Sequence, residues 1–148
     1  MAQPDRLEAL SVEECLDLLE THHFGRVAIG DAGGPTVLPV NYVLDQGSVL
    51  FRTAEGTKLD AAVGRERISF EVDHLDEASR SGWSVLVRGK AEEVTDPAEL
   101  ERLRELPLEP FAGGERYRFV RLLSSAISGR RIRIPDSAPP GWFTPGDA

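Results

Sequence analysis

The sequence has a single cysteine, Cys15, and only three histidines among its 148 residues. One cysteine excludes an intramolecular disulfide framework. Together with so few histidines it leaves little for a structural zinc site, which is usually built from several cysteines and histidines. Cys15 falls on the apolar stripe of a predicted helix, so we interpret it as a core residue rather than a reactive thiol.

Long hydrophobic runs and an excess of basic charge are also missing. No apolar stretch approaches the ~20 residues that a membrane-spanning helix needs, and no apolar segment flanked by basic residues lies near the N-terminus. The 17 Lys and Arg against 25 Asp and Glu give a net charge of -8. This balance argues against nucleic acid or an anionic membrane as the main partner, but it leaves room for a local site for one phosphate. We expect a cytoplasmic protein.

The length of the chain is that of one domain. It is enough to bury a core, but too short for separate cofactor and substrate domains, so a sizeable ligand site would need a subunit interface. We expect this domain to span residues 1–134. The segment 135–148 holds four of the ten prolines and is predicted to be a tail without regular structure.

Three helices are predicted from their start signals. Ser11 and Glu14 form a capping box ahead of an apolar stripe that includes Val12 and Cys15. Asp96-Pro97, with a glutamate three residues after the aspartate, marks another start, and a short helix is expected after Thr57.

Between these helices, six segments have the β-branched, aromatic or alternating pattern of strands. A doubly wound parallel sheet would need a helix after nearly every strand. The predicted helices are too few for that, so the pattern favours a small antiparallel barrel. We therefore predict a mainly β (α+β) fold, a six-stranded antiparallel barrel with short flanking helices. The strand beginning at Trp83 is expected to be the longest, with a bulge at Gly89. The six segments are 25–29, 36–44, 49–53, 67–73, 83–94 and 117–127.

Pro39 interrupts the second of these strands. Because proline has no N–H to donate to a ladder, the strand must be an edge at that point or bulged there. Either arrangement frees backbone groups that could face a ligand near Asn41. A bulge needed only for barrel curvature fits the sequence equally well.

The stretch from Val49 to Ala62 changes from strand to helix across a short turn. Gly56 can adopt positive φ, and Thr57 can cap the helix. Free backbone N–H groups, the Thr57 hydroxyl, the Lys58 ammonium and Arg52 would together hold a phosphate. The same spacing also fits a simpler interpretation, in which Thr57 is only a cap and Lys58 is solvated.

Paired carboxylates offer a second candidate site. Glu71 and Asp73 share one face of an alternating strand, an arrangement compatible with acid–base chemistry. Alternating polar residues are also what any half-exposed strand shows, and we favour that interpretation.

Five motifs, in this order and spacing, are similar to those of the pyridoxamine 5′-phosphate oxidase-like, flavin-binding split β-barrel family, and resemble most its short actinobacterial-type members. The resemblance covers roughly residues 11–132. The motifs are G-R-V-A-I at 25–29, P-V-N-Y at 39–42, F-R-T-A-E-G-T-K-L-D-A-A at 51–62, S-F-E-V-D at 69–73 and G-W-S-V-L-V-R-G-K-A-E at 82–92.

The resemblance implies a split barrel that forms a homodimer with flavin bound at the interface, and a flavin-dependent oxidoreductase that transfers hydride between FMN and a small molecule. The implied alternatives are a reductase that uses the deazaflavin coenzyme, or a non-catalytic protein that sequesters flavin. No basic groove for a polyglutamate tail is evident, which favours FMN. The last strand also lacks the Trp and Arg/His arrangement that would recognise pyridoxal phosphate, so vitamin B6 oxidation is not expected.

The same resemblance implies a set of cofactor-binding residues and no catalytic side chain, because the flavin carries the chemistry. One group would hold the flavin phosphate and ribityl chain, a second would lie along the isoalloxazine ring, and a third would contact the flavin from the partner subunit. The phosphate and ribityl group is Arg52, Thr53, Thr57 and Lys58. The ring group is Pro39, Val40 and Asn41, and the group from the partner subunit is Trp83 and Ser84.

Overall fold

The structure, a computed structural model, describes residues 7–109 and 117–133. In it seven antiparallel strands form one sheet in the order β1-β7-β4-β3-β2-β5-β6, and pairing of β6 with β7 closes strands β2 to β7 into a barrel. The strands are β1 Leu7–Leu10, β2 Phe24–Ile29, β3 Thr36–Asp45, β4 Ser48–Ala54, β5 Arg67–Asp76, β6 Ser81–Glu93 and β7 Tyr117–Arg133. The helices are α1 Val12–Thr21, α2 Lys58–Ala62 and α3 Pro97–Leu103.

This architecture confirms the predicted six-stranded split barrel with short helices and adds one strand to it. The strand β1 is too short to show a pattern of its own, and it forms by pairing with the far half of β7, from Leu7↔Ile132 to Leu10↔Gly129. The prediction that the strand from Trp83 is the longest is wrong, because β7 has 17 residues and β6 has 13. The expected tail, residues 135–148, lies outside the described residues. None of the described helices is long and apolar enough to cross a membrane.

Local sequence signals place most of the elements. The N–H of Glu14 donates to the Ser11 hydroxyl at 3.1 Å, which confirms the predicted start of α1. Cys15 is fully buried as expected, but Val12 is 55% exposed and does not belong to the buried stripe. The β3–β4 hairpin closes through Gln46 and Gly47, whose φ angles of 51° and 78° are those of a two-residue type I′ turn.

The barrel interior is filled by alternate side chains of each strand. On β5, Ile68, Phe70 and Val72 are buried while the residues between them face outward, as the alternation predicts. The bulge predicted at Gly89 is present as a register shift between Arg88 and Gly89. A side chain at Gly89 would collide with the backbone of β7, so only glycine fits where the two strands approach.

A partly buried ion-pair network attaches α3 to the barrel. Arg102 on α3 donates to both carboxylate oxygens of Asp45 at 2.8 and 3.0 Å, and Arg121 on β7 donates to the same carboxylate at 2.9 Å. Hydrogen bonds from Arg102, then from Arg121, lower the pKa of Asp45 to about 2 despite its burial. The carboxylate therefore joins the β3–β4 turn, α3 and β7.

We expect Asp45→Asn to lower the free energy of unfolding by about 2 kcal/mol at pH 7, because the variant leaves two arginines without their carboxylate. Partial exposure of Arg102 keeps the effect below that of a fully buried pair. The folded pKa lies below the ordinary value, so this stabilisation is present above about pH 4 and is lost as the pH falls towards 2. Urea unfolding at pH 7 and pH 3 measures both effects. Asp17→Asn, at an exposed position on α1, is the control, and an equal deficit at both pH values would contradict the account.

Candidate functional site

The two strands of the β3–β4 hairpin separate as they leave their turn, and a cleft opens between them. They pair only from Asp45↔Ser48 to Tyr42↔Phe51. Beyond that point β3 continues on β2 and β4 continues on β7. The resulting cleft has a volume of about 250 Å³. Its lining residues are Leu38, Pro39, Val40, Asn41, Arg52, Thr53, Ala54, Thr57, Lys58 and Leu59.

The cleft brings together seven of the nine residues predicted to bind cofactor. Trp83 and Ser84 do not line it: the Trp83 ring packs edge-on against His22 with ring centres 4.7 Å apart, and Ser84 pairs with Asp73 within the sheet. The sequence resemblance placed these two residues against a flavin held by the other subunit, so their role stays a prediction. The seven residues in the cleft are Pro39, Val40, Asn41, Arg52, Thr53, Thr57 and Lys58.

Pro39 lies on the side of β3 that faces the cleft. The N–H of Tyr42 donates to His23 at 2.9 Å, so alternation along the strand directs the backbone groups of Val40 to β2 and those of Pro39 and Asn41 to the opposite side. In the described part of the chain no strand pairs with β3 on that side beyond Tyr42. The structure therefore places Pro39 at an edge, one of the two predicted arrangements, and leaves backbone groups beside it facing the cleft.

The turn before α2 forms more hydrogen bonds within itself than predicted. Gly56 has the expected positive φ of 83°, and Thr57 caps the helix by accepting the N–H of Asp60 at 3.1 Å. The expectation of free N–H groups is wrong for three of them. Besides that of Asp60, the N–H of Gly56 donates to the Asp60 carboxylate at 2.9 Å, and the N–H of Thr57 donates to the carbonyl of Ala54 at 3.4 Å. Because the Thr57 hydroxyl also donates to Ala54 at 2.9 Å, Thr57 mainly fixes the turn.

Arg52 brings a positive charge to the cleft that no described carboxylate neutralises. Its guanidinium carbon lies 5.0 and 5.2 Å from the ring centres of Phe119 and Tyr117, a cation–π arrangement. Nη1 donates to the carbonyl of Leu108 at 3.3 Å, while the buried Nε has no acceptor in residues 7–109 and 117–133. A buried donor without an acceptor costs about 1–3 kcal/mol, so this atom is suited to an anionic ligand.

The other polar side chains of the cleft have partners within the protein. Lys58 donates to Asp31 at 2.7 Å, and the side-chain amide of Asn41 donates to the carbonyl of Glu109 at 2.6 Å. The buried hydroxyl of Thr53 lies 3.3 Å from that of Thr57. Among the residues that the structure describes, the lining contains two cations and no Asp, Glu, His or Cys. The chemistry of this described lining is therefore that of anion binding, without a side chain suited to general acid–base catalysis near neutral pH.

The other predicted cluster, Glu71 with Asp73, lies on the outer face of β5 and outside the cleft. Both carboxylates share Nη1 of Arg26, at 3.4 and 3.1 Å. Burial, followed by the neighbouring Asp73, raises the pKa of Glu71 to about 7. The arrangement is an ion-pair cluster on the outer surface of the barrel, in agreement with the half-exposed strand that we favoured.

Comparison with known proteins gives a consistent set of relatives. The profile of the family described as pyridoxamine 5′-phosphate oxidase matches residues 11–131. An uncharacterized protein of Mycobacterium tuberculosis is 34% identical to this chain, in an alignment that covers 88% of each of the two chains.

Two of the similar solved structures are those of FAD-binding proteins. The one from Mycobacterium smegmatis is 39% identical, with a TM-score of 0.76 over 86% of this chain and 100% of that chain. The one from Mesorhizobium loti is 26% identical, with a TM-score of 0.70 over 84% of this chain and 96% of that chain.

The raised pKa of Glu71 predicts that Glu71→Gln changes stability in a pH-dependent way. The folded protein holds this proton more tightly than the unfolded chain, so the charged carboxylate destabilises the fold as the pH rises from about 4.5 through 7. We therefore expect the variant to have the higher Tm at pH 8 and little difference from wild type at pH 5. Thermal unfolding at both values tests this, with Glu20→Gln on α1 as a control. A difference in Tm that does not depend on pH would contradict it.

Proposed function

The chain belongs to the pyridoxamine 5′-phosphate oxidase family, and from this premise we propose that its β3–β4 cleft binds a flavin nucleotide. The single observation that carries the proposal is Arg52, whose buried Nε lacks an acceptor and whose charge has no carboxylate partner among the described residues. The names of two similar structures, both FAD-binding proteins, support the same class of ligand.

We place the flavin phosphate between Arg52, Thr53 and Lys58. A guanidinium forms short, charge-assisted hydrogen bonds with a phosphate, and an ammonium adds a second positive charge. Thr53 contributes a hydroxyl whose one hydrogen-bond partner in the described residues is the hydroxyl of Thr57. Thr57, which the sequence also assigned to the phosphate, acts here by holding the turn that positions Lys58.

The isoalloxazine ring is assigned to the edge of β3. The backbone groups of Pro39 and Asn41 face the cleft there, and the edge of a flavin ring carries N–H and C=O groups that can pair with them. Leu38 and Leu59 supply apolar lining for the face of the ring. The sequence favours FMN; FAD contains the same phosphate next to its ribityl chain, so both nucleotides present one anchoring group to Arg52.

The function that follows is that of a flavin-dependent oxidoreductase acting on a small molecule. A bound flavin supplies hydride chemistry, so the protein has to bind, orient and shield it. The part of the lining that the structure describes fits this division of labour, because it contains no acid–base side chain. Reduction of the bound flavin by NAD(P)H, followed by reoxidation by an acceptor, would distinguish this function from simple sequestration of flavin.

We further propose that two copies of the chain complete the site. The cleft, at about 250 Å³, is smaller than the ~300–1,000 Å³ of pockets that enclose a small ligand, so one chain would leave much of a flavin uncovered. The outer face of the barrel beside the cleft exposes large apolar side chains, among them Val37 on β3 and Phe24, whose backbone on β2 pairs with that of Asn41. Val37 is two residues from Pro39, so this face is continuous with the cleft. A second copy would cover the apolar face and the ring together.

Arg52→Gln tests the phosphate placement. Loss of a charge-assisted contact of roughly 1.5–3 kcal/mol should weaken FMN binding about tenfold or more. Riboflavin, which has no phosphate, should bind wild type and variant with similar affinity. Titrations followed by flavin fluorescence give both constants, with Arg104→Gln, an exposed arginine at the end of α3, as the matched control.

Equal losses for riboflavin and FMN would contradict the assignment of Arg52 to the phosphate. Failure of wild type to bind FMN, FAD and riboflavin would contradict the flavin proposal itself. If the protein binds the deazaflavin coenzyme and none of the flavins, then the ligand of the cleft is that coenzyme and not FMN.

Val37→Glu tests the second copy. A charge on the proposed contact face should shift the protein from dimer to monomer and weaken flavin binding, because burying an unpaired carboxylate is costly. Val12→Glu is a matched control, since Val12 is 55% exposed and Val37 is 56% exposed, but Val12 lies on α1. Sedimentation velocity with and without FMN measures the mass. A monomeric wild type, or equal dissociation by both variants, would contradict the proposal.

A further inference from the structure

We propose that Asp31 is a specificity-determining residue of the cleft: it competes with the ligand's phosphate for Lys58, and so limits how strongly the site prefers a phosphorylated flavin to riboflavin. This inference rests on the proposed flavin site and assigns a role to a residue outside the lining of the cleft. Asp31 lies in the turn between β2 and β3, 27 residues before Lys58.

Asp31 is held in place by its own turn, independently of Lys58. Its carboxylate accepts the hydroxyl of Thr36 at 3.2 Å, and its backbone carbonyl accepts the N–H of Gly34 at 3.0 Å. The Lys58 side chain is 66% exposed, and its ammonium reaches the same carboxylate oxygen at 2.7 Å. The anion is therefore the fixed member of the pair, and the lysine is the member that can move.

The two cations of the cleft differ in this respect. Arg52 has no carboxylate partner in residues 7–109 and 117–133, whereas Lys58 has Asp31. The carboxylate cancels about half of the positive charge that the lining offers to an anion. The preference of the site for phosphate is therefore lower than its two basic residues alone would give.

A phosphate can approach Lys58 in two ways, and Asp31 opposes both. If the lysine turns to the phosphate, it must first leave the carboxylate. If the ammonium bridges the two anions with its three donors, carboxylate and phosphate lie close together and repel each other. An exposed lysine–aspartate pair contributes little to folding stability, so the main consequence of Asp31 is electrostatic and falls on the ligand.

Asp31→Asn removes the charge and keeps a side-chain oxygen that can accept from Thr36. We expect the variant to bind FMN about threefold tighter or more, because Lys58 no longer has to leave a charged partner, or share its donors with one, in order to contact the phosphate. Riboflavin affinity should not change. The gain for FMN should shrink as salt is raised from low to high concentration, because the interacting charges are exposed. Flavin fluorescence titration measures all of these constants.

Two further variants separate competition for Lys58 from a general effect of net charge. Asp17→Asn, at an exposed position on α1, makes the same change in net charge, and it should leave both affinities as in wild type. In a Lys58→Met background Asp31→Asn should lose most of its effect on FMN, because the competition acts through the ammonium.

These experiments distinguish a failure of the Asp31 inference from a failure of the proposed flavin site. FMN affinity that is unchanged or lower in Asp31→Asn, with riboflavin binding intact, would overturn the inference and leave the flavin site standing. A gain that persists without Lys58 would overturn it as well. If neither flavin binds to wild type or variant, the proposed function fails first, and the inference fails with it.

Discussion

Pro39 has no N–H to give to a sheet, and it lies on β3 just beyond the point where that strand leaves β4. This constraint is satisfied because no described strand pairs with the cleft-facing side of β3 there. The separation of β3 and β4 creates the cleft, exposes the backbone edge beside Asn41 and brings Arg52 to the opposite wall. The candidate site is therefore a consequence of how the barrel is split.

The electrostatics of the molecule distinguish Arg52 from the arginines that support the fold. Arg118 and Arg121 are also partly buried, and each has a carboxylate at hydrogen-bonding distance, from Asp60 and from Asp45 respectively. These pairs neutralise their own charges and join distant parts of the barrel. Arg52 instead lies against two aromatic rings with a carbonyl as its acceptor, in a chain whose net charge is -8. Arg52 is thus a half-buried cation without a carboxylate partner among the described residues, and in an acidic protein such a cation provides a local site for an anion.

Features set by neighbouring residues could be predicted from the sequence, and features set by distant partners could not. The Ser11 and Thr57 caps, the hairpin turn and the alternation of β5 all depend on residues a few positions apart. The strand β1 could not be predicted because it exists only through pairing with β7.

Within the site the same distinction holds. Seven cleft residues were predictable because they belong to two motifs of consecutive residues that the hairpin brings together. The contact of Asn41 with Glu109 spans 68 positions and had no local signal. The Asp60 carboxylate was the nearest missed signal: it stands at the third position of α2, where an acidic side chain commonly reaches back to backbone N–H groups.

The most direct test of the central claim is to identify the small molecule that accompanies the native protein, by its absorbance spectrum and by its mass after release on denaturation. The protein should show a flavin spectrum and release the mass of a phosphorylated flavin, either in near-equimolar amount as isolated or after reconstitution with FMN or FAD. A colourless protein that takes up none of these flavins on reconstitution would contradict it.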